Sequence, residues 1–295
     1  MDGLVVIDKP AGCTSHDVVN RVRKFAGTRK VGHLGTLDPM ATGVLPLVIG
    51  RATRLAQFFQ RSDKVYDAAV RFGYSTDTYD RDGRATSLVT DVNLDPARLA
   101  PILARFIGRI HQIPPAYSAK KVGGVPSYRL ARKNAAVRLA PVEVEIYDIE
   151  MIRCCDEAVA EIRVHCAAGT YVRSLAHELG QALGCGAFLR KLRRTASGGF
   201  DVAMARTLPQ LEQLTRDGRF DEAIIPSAHL LPEFPTEFVD AATAGLIRQG
   251  RDFRVSPFRT QAGKSRYVKA ISEQGDLVAI GEARLPNVYH PVLVL

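Results

Sequence analysis

Over residues 158–166 the chain alternates cleanly: Ala160, Ile162, Val164 and Cys166 fall on one face, Glu161, Arg163 and His165 on the other. A period of two is the mark of a strand with one dry face and one wet face. Gly169 ends that strand, and the period then lengthens. Val172, Leu175, Ala176, Leu179 and Leu183 lie on a single stripe of an amphipathic helix. Residues 142–147 and 64–74 read as further strands, the latter with Tyr66, Ala68, Val70 and Phe72 on one face. Strands and helices are interspersed with no regular βαβ repeat. The expected fold class is therefore α/β in the α+β sense, a mixed, largely antiparallel sheet with flanking helices.

The remaining text fills in around that frame. Residues 3–7 read as a short buried strand, followed by a helix capped by Ser15 or Asp17, with Val18, Val19, Val22 and Phe25 on its apolar face and its end near Gly27. Residues 44–49 are another apolar strand and 52–60 a helix. Asp80-Arg81-Asp82-Gly83 is a turn. Asp95-Pro96 supplies a cap and a first-turn proline for a helix along Leu99, Ile102, Leu103 and Phe106, which Pro101 should kink. After Pro226, Pro232 and Pro235, strand-like pieces at 266–271, 277–280 and 292–295 suggest a small all-β appendage of about sixty residues, near the lower limit for independent folding.

Hydrophobic residues make up 46% of the 295, enough for an ordinary core, and the net charge of +9 favours a polyanionic partner without identifying one. Cys13, Cys154, Cys155, Cys166 and Cys185 are an odd set without CxxC spacing, so reduced thiols are expected rather than a disulfide framework or a zinc ribbon. The opening MDGLVVIDKP is unlike a signal peptide, and no stretch approaches the ~18 apolar residues that span a bilayer. The expectation is a soluble, cytoplasmic protein with no membrane contact.

The chemistry concentrates in residues 32–46, GHLGTLDPMATGVLP, where three glycines and two prolines among apolar residues describe a loop with a tightly set backbone. Asp38 lies there between Leu37 and Pro39. An acid in so apolar a setting needs a partner to stay ionised. Taken alone, it reads more readily as a turn aspartate before proline. Other chemistries lack their motifs: there is no GxxxxGK[ST], no GxGxxG after a strand and no GxSxG. Thr78 and Val89 stand where a calcium loop around Asp80 needs carboxylates, and His33, His165 and His177 lack metal-ligand spacing. No metal and no cofactor is expected.

Five blocks in order carry a resemblance: VVIDKPAGCTSHDVV, GHLGTLDPMATGVLPLVIGRATR, SDKVYDAAVRFGYSTDTYDRDG, QIPPAYSAKKVGGVPSYRLAR and CAAGTYVRSLAHELGQALGCGAFLRKLRRTASGGF. Together they resemble the bacterial TruB family of tRNA pseudouridine synthases over nearly the whole chain, with His33-Leu34-Gly35-Thr36 departing mildly from the more usual HTGT or HTGA. The resemblance implies a cofactor-free isomerase that flips out uridine 55 of the tRNA T loop, breaks its glycosidic bond and rejoins the base through C5. It implies that Asp38 is the catalytic carboxylate, Tyr66 the ring that stacks on the target base, and Arg173 the counter-charge of Asp38. His33, Gly35, Thr36, Leu192, Lys64 and Tyr171 would surround the substrate, His33 helping to hold nucleotides out of the stack.

The resemblance further implies a catalytic domain over residues 1–230, a thumb-like RNA-binding insertion at about 110–135, and a PUA-like RNA-binding domain at 231–295 that grips the acceptor stem. Basic segments supply the candidates for RNA contact: Lys120, Lys121, Arg190, Arg193, Arg194, Arg251 and Lys264. No obligatory protein partner is expected. Two rivals remain at this level: a tRNA-folding chaperone that acts independently of catalysis, and the related guide-RNA-dependent synthases, against which the bacterial-type opening argues.

Overall fold

The computed structural model describes residues 2–118, 120–122, 124–127, 130, 139–155, 158–256 and 265–295. In chain order the elements are β1 (Gly3–Lys9), α1 (Ser15–Phe25), β2 (Val31–His33), β3 (Thr42–Ile49), a 3-10 helix (Gly50–Phe59), β4 (Lys64–Phe72), α2 (Pro96–Ala104), β5 (Gly108–Gln112), β6 (Lys121–Val122), β7 (Val125–Pro126), β8 (Val142–Cys155), β9 (Val159–Cys166), α3 (Val172–Leu183), β10 (Ala187–Ser197), β11 (Phe200–Asp201), α4 (Leu208–Arg216), β12 (Ile225–Pro226), β13 (Thr236–Val239), α5 (Ala241–Arg248), β14 (Phe253–Arg254), β15 (Tyr267–Ser272), β16 (Leu277–Leu285) and β17 (Val288–Val294).

The large sheet runs β12-β1-β3-β10-β4-β9-β8-β5, with β2 beside β3 and β11 beside β10. Among the described residues its neighbours are antiparallel except β3 and β10, which run parallel where Thr42 meets Arg193 and Gly43 meets Arg194. The C-terminal unit is a second sheet, β13-β15-β16-β17-β14, to which α5 adds one short helix. The expected mixed, largely antiparallel α/β architecture with a small β-rich C-terminal unit is what the chain forms.

β1 and β3 are apolar runs because both of their faces are covered. Val5, Ile7, Leu45, Leu47 and Ile49 join one core with α1, α3 and α4. Leu4, Val6, Val44 and Val48 face the other way and pack with Leu230, Leu231, Ile271, Leu277, Ile280 and Leu293, so the C-terminal sheet is seated on the back of the large one. At about 1.5–3 kcal/mol for each buried aliphatic side chain, this shared core is a principal tie between the two sheets.

Three expectations about local structure change. Thr14, not Ser15 or Asp17, caps α1: its hydroxyl accepts from the Asp17 amide at 3.1 Å while the Asp17 carboxylate accepts from the Thr14 amide at 2.8 Å. Ser15 is freed to turn inward. Residues 50–59 wind as a 3-10 helix. β10, whose basic residues read in the sequence as candidates for RNA contact, is a central strand of the large sheet. Pro101 is accommodated inside α2, where Asp95 caps the helix and Pro96 opens it.

Gly43, at φ +100°, is where β3 and β10 press together. A Cβ there would sit 2.1 Å from the Arg194 carbonyl oxygen, whereas Gly12, at φ +81°, has open space. Gly43→Ala should therefore cost about 2–5 kcal/mol of unfolding free energy in urea, combining backbone strain with overpacking, and Gly12→Ala only about 1–2 kcal/mol. Equal losses would show that close strand contact at Gly43 is unimportant. On α3, burial pushes the Glu178 carboxyl up to about 7 from an ordinary 4.5. A raised acid favours the folded state most fully below its unfolded pKa, and that contribution is lost as pH rises from 4.5 to about 7. Glu178→Gln should raise the melting temperature at pH 8 and leave it unchanged at pH 4; equal shifts at both would refute the titration.

Candidate active site

The loop between β2 and β3 is held from behind by three buried polar side chains. Lys9, fully buried at the end of β1, donates its ammonium to the carbonyls of Ala41 at 2.7 Å, Pro10 at 2.8 Å and Pro39 at 3.4 Å. Ser15 both accepts from the Leu37 amide at 2.8 Å and donates to the Leu37 carbonyl at 3.1 Å. Arg194, 1% exposed, donates to the carbonyls of Val44 at 2.7 Å, Gly35 at 3.1 Å and Thr36 at 3.4 Å. Leu37, Met40 and Ala41 tuck into the core on either side. The backbone around Asp38 is thus fixed from both flanks, and its carboxylate projects, with 34% of the side chain exposed.

Opposite stands Arg173, in the first turn of α3. A cation there opposes the helix dipole by about 0.3–1 kcal/mol, so it needs stronger compensation. It has it. Nε and Nη2 meet the two oxygens of Asp38 at 2.9 and 3.0 Å, a bidentate pair. Nη2 also donates to the Tyr117 carbonyl at 2.9 Å, and Nη1 to the Thr78 carbonyl at 3.3 Å and to Asp80 at 3.4 Å. Every guanidinium N–H has an acceptor, and the side chain is only 6% exposed.

Asp80 forms the far side of this cluster, 8% exposed. Burial pushes its carboxyl pKa up, opposed by bonds from the Thr78 hydroxyl and the Asp82 amide and by the Arg173 charge. Arg173 itself is placed by Gln112, buried at the end of β5. The Gln112 side chain accepts from the Tyr171 amide at 3.0 Å and donates to the Tyr171 carbonyl at 3.3 Å, setting the start of α3.

These groups face a cleft of about 450 Å³. Asp38, Tyr66, Arg173, His33, Gly35, Thr36, Leu192, Lys64 and Tyr171, the expected site residues, all line it. Tyr66 lies near the start of β4, across from Arg194 on β10. Burial raises its phenol pKa, and the adjacent Arg194 guanidinium opposes that rise. His33 is lowered by burial and then by Arg194, and its Nδ1 accepts from the Gly35 amide at 3.4 Å. Burial likewise lowers Lys64, whose ammonium donates to the Ser62 carbonyl.

The expected RNA-contact set divides. Arg194 is a correction: it is a buried brace of the Asp38 loop, because its guanidinium is consumed by three carbonyls. Arg193 stays half-exposed. It points to the sheet face opposite the cleft, as alternation from Leu192 and Arg194 requires, and it forms a bidentate ion pair with Asp8 at 2.8 and 3.0 Å. Lys191 is exposed and Arg190 half-buried, both beside a hollow on that opposite face. Lys120 and Arg251 are exposed. The Lys121 side chain and all of Lys264 lie outside the described residues, as do 119, 123, 128–129 and 131–138 of the thumb-like segment and its margin; the described part includes the β6–β7 hairpin.

The sequence reading passed over several residues of this site. In the sequence Asp80 reads as a turn residue, Ser15 as a candidate helix cap, and Lys9 as one residue of the VVIDKPAGCTSHDVV segment. Phe59, Ala168, Thr170 and Ser118 also line the cleft. Nothing in the pattern around Asp80 marks it as buried, since its partner lies 93 residues away.

Residues 23–172 match the family described as TruB family pseudouridylate synthase (N terminal domain), and residues 173–232 match the tRNA pseudouridylate synthase B C-terminal domain. A tRNA pseudouridine synthase B of Solibacter usitatus is 59% identical over 295 residues, covering 100% of both chains. Another, from Syntrophotalea carbinolica, is 41% identical over 250 residues, covering 85% of this chain and 80% of the relative. Among solved structures, a Cbf5-Nop10-Gar1 complex matches with TM-score 0.69 and 27% identity, over 97% of this chain and 79% of that one. An H/ACA RNP bound to a substrate RNA containing 2'-deoxyuridine gives TM-score 0.70 and 26% identity, over 99% and 84%. With an arginine-held aspartate in a tyrosine-walled cleft and family matches that together run from residue 23 to 232, the chain belongs to the TruB family of pseudouridylate synthases.

Proposed function

We propose that this protein isomerises uridine 55 in the T loop of tRNA to pseudouridine, with Asp38 as the catalytic carboxylate. The observation that carries the reading is the bidentate grip of buried Arg173 on Asp38 at the wall of the cleft, beside Tyr66. The substrate is supported by the curated relatives, which are named for tRNA. The reaction exchanges an N1–C1′ bond for a C5–C1′ bond and moves the C5 proton to N1, with no net oxidation. It needs a fixed negative charge at the sugar more than any other group. Asp38 supplies it, either by bonding to C1′ or by stabilising positive character at C1′ while a proton leaves C2′.

In this reading Arg173 is a positioning residue that keeps both Asp38 oxygens oriented, and Asp80 positions Arg173 in turn. Tyr66 is the platform for the flipped base. Burial raises its phenol pKa, and the Arg194 guanidinium opposes that rise. His33, its pKa lowered by burial, helps to hold the flipped-out nucleotides out of the stack. Residues 1–230 form the catalytic domain, residues 110–135 a thumb over the RNA, and residues 231–295 the unit that holds the acceptor stem. The enzyme acts in the cytoplasm on bare tRNA without a protein partner.

Release of tritium from C5-labelled tRNA transcript tests this directly. Asp38→Asn should lower single-turnover rate by about 10³-fold or more while tRNA affinity stays within a few-fold; full turnover in that variant would remove Asp38 from the mechanism. Deuterium at C2′ should slow the reaction only on the elimination route. Asp80→Asn should lower kcat by about 10–100-fold through loosened orientation of Arg173, with tRNA Kd unchanged. A loss confined to Kd would assign Asp80 to binding instead.

A further inference from the structure

Thr78 and Asp80 hold the one guanidinium nitrogen of Arg173 that Asp38 does not take. The Thr78 carbonyl and the Asp80 carboxylate accept from Nη1 at 3.3 and 3.4 Å. Tyr79, the residue between them, has φ +62°, the left-handed region that a side chain with a Cβ rarely adopts. Hydrogen bonds pin this turn from within and from β10. The Tyr79 amide donates to the Thr76 carbonyl at 3.2 Å, the Thr76 hydroxyl to the Asp80 carbonyl at 2.7 Å, and the Leu189 amide to the Tyr79 carbonyl at 3.0 Å.

The Tyr79 side chain returns to the helix that carries Arg173. Its ring lies on the imidazole of His177, centroids 4.0 Å apart and planes 13° from parallel. His177 comes one helical turn after Arg173 on α3, so the two side chains share one face. That face therefore grips the turn twice, by the guanidinium and by the stacked ring. Burial lowers the His177 pKa, while burial and then Glu178 raise the Tyr79 phenol pKa. Both shifts favour the uncharged forms, so what each side chain brings is a flat surface. A left-handed residue other than glycine persists where its surroundings over-determine it, and such residues gather at active sites.

We infer that Tyr79 and His177 are positioning residues for the isomerisation. The stacked pair fixes the left-handed turn that aims Thr78 and Asp80 at Arg173, and through Arg173 it holds the Asp38 carboxylate in its working orientation. This role rests on the reading of Asp38 as the catalytic carboxylate. Neither ring belongs to the residues that line the cleft, so the pair acts through Arg173 and not by touching the nucleotide there. An asparagine at position 79 would adopt the same backbone more readily, yet it would lose the ring that ties the turn to α3. Small errors of orientation are costly in such a site, a misplacement of about 1 Å being worth about 100-fold in rate.

Two readouts on the full-length protein test this. In single-turnover tritium release from C5-labelled tRNA transcript, Tyr79→Asn and His177→Ala should each slow the reaction by about tenfold or more, with tRNA Kd within about twofold. Tyr79→Phe and His177→Phe, which keep a ring on each side, should stay within about threefold of the unaltered rate. In an Asp80→Asn background His177→Ala should add less than about twofold, because both act through Arg173. The second readout does not depend on activity. The Arg173 Nε–H signal, assigned by its disappearance in Arg173→Lys, should exchange with solvent about tenfold or more faster in Tyr79→Asn and His177→Ala. Unchanged rates in those two variants would overturn the proposal, as would losses that fall on Kd or that leave Arg173 exchange as it was. Failure of the unaltered protein to release tritium would sink the enzymatic reading instead, and exchange at Arg173 would still decide whether the stack positions it.

Discussion

The buried guanidinium of Arg173 is the contact on which the site depends. It joins three separate parts of the chain: the Asp38 loop, the Thr78–Asp80 segment and the Tyr117 carbonyl at the base of the thumb-like segment. Removing one partner of such a pair typically costs about 3–5 kcal/mol, far more than the dipole term that disfavours a cation in the first turn of α3. The pairing also explains the division of labour between two aspartates. Asp80, the more deeply buried, is raised in pKa and spends its oxygens on Thr78, Asp82 and Arg173. Asp38 keeps a third of its side chain open to the cleft, where a substrate can reach it.

Around that contact, β10 does two jobs with one stretch of sequence. Its even residues near the centre, Leu192 and Arg194, wall the cleft and brace the Asp38 loop, while Lys191 and Arg193 face the opposite side. A basic run is therefore not one surface. Strand alternation divides it into a buried brace, an ion-paired rung and members of a hollow on the far face. Lys9 and Ser15 brace the same loop from β1 and α1, so the position of Asp38 rests on hydrogen bonds from three elements in two regions that are far apart in the chain.

Much of the architecture was legible because hydrophobic periodicity is a local property. β4, β9 and α3 announce themselves by alternation or by a helical stripe, and β1 and β3 by continuous apolar text. Where local pattern and burial part company, the reading fell short. Ser15 looked like a cap and turned out to staple Leu37. β10 read as an RNA-contact segment because it carries four basic residues, yet a guanidinium can be buried when carbonyls satisfy it, and composition does not reveal carbonyls. Asp80 looked like a turn for the same reason: its burial comes from contacts made by residues distant in sequence.

The sequence by itself determined the strand and helix periods, the rigid glycine- and proline-set loop that carries Asp38, and the ordered motifs that place the chain in its family. All of these are written in neighbouring residues or in their order. Only the tertiary structure decided which charges meet. It put Arg173 between Asp38 and Asp80, and it turned Arg194 inward and Arg193 outward. Electrostatic partnership depends on distance in space and on what water is excluded, and neither quantity exists until the sheet has closed its faces.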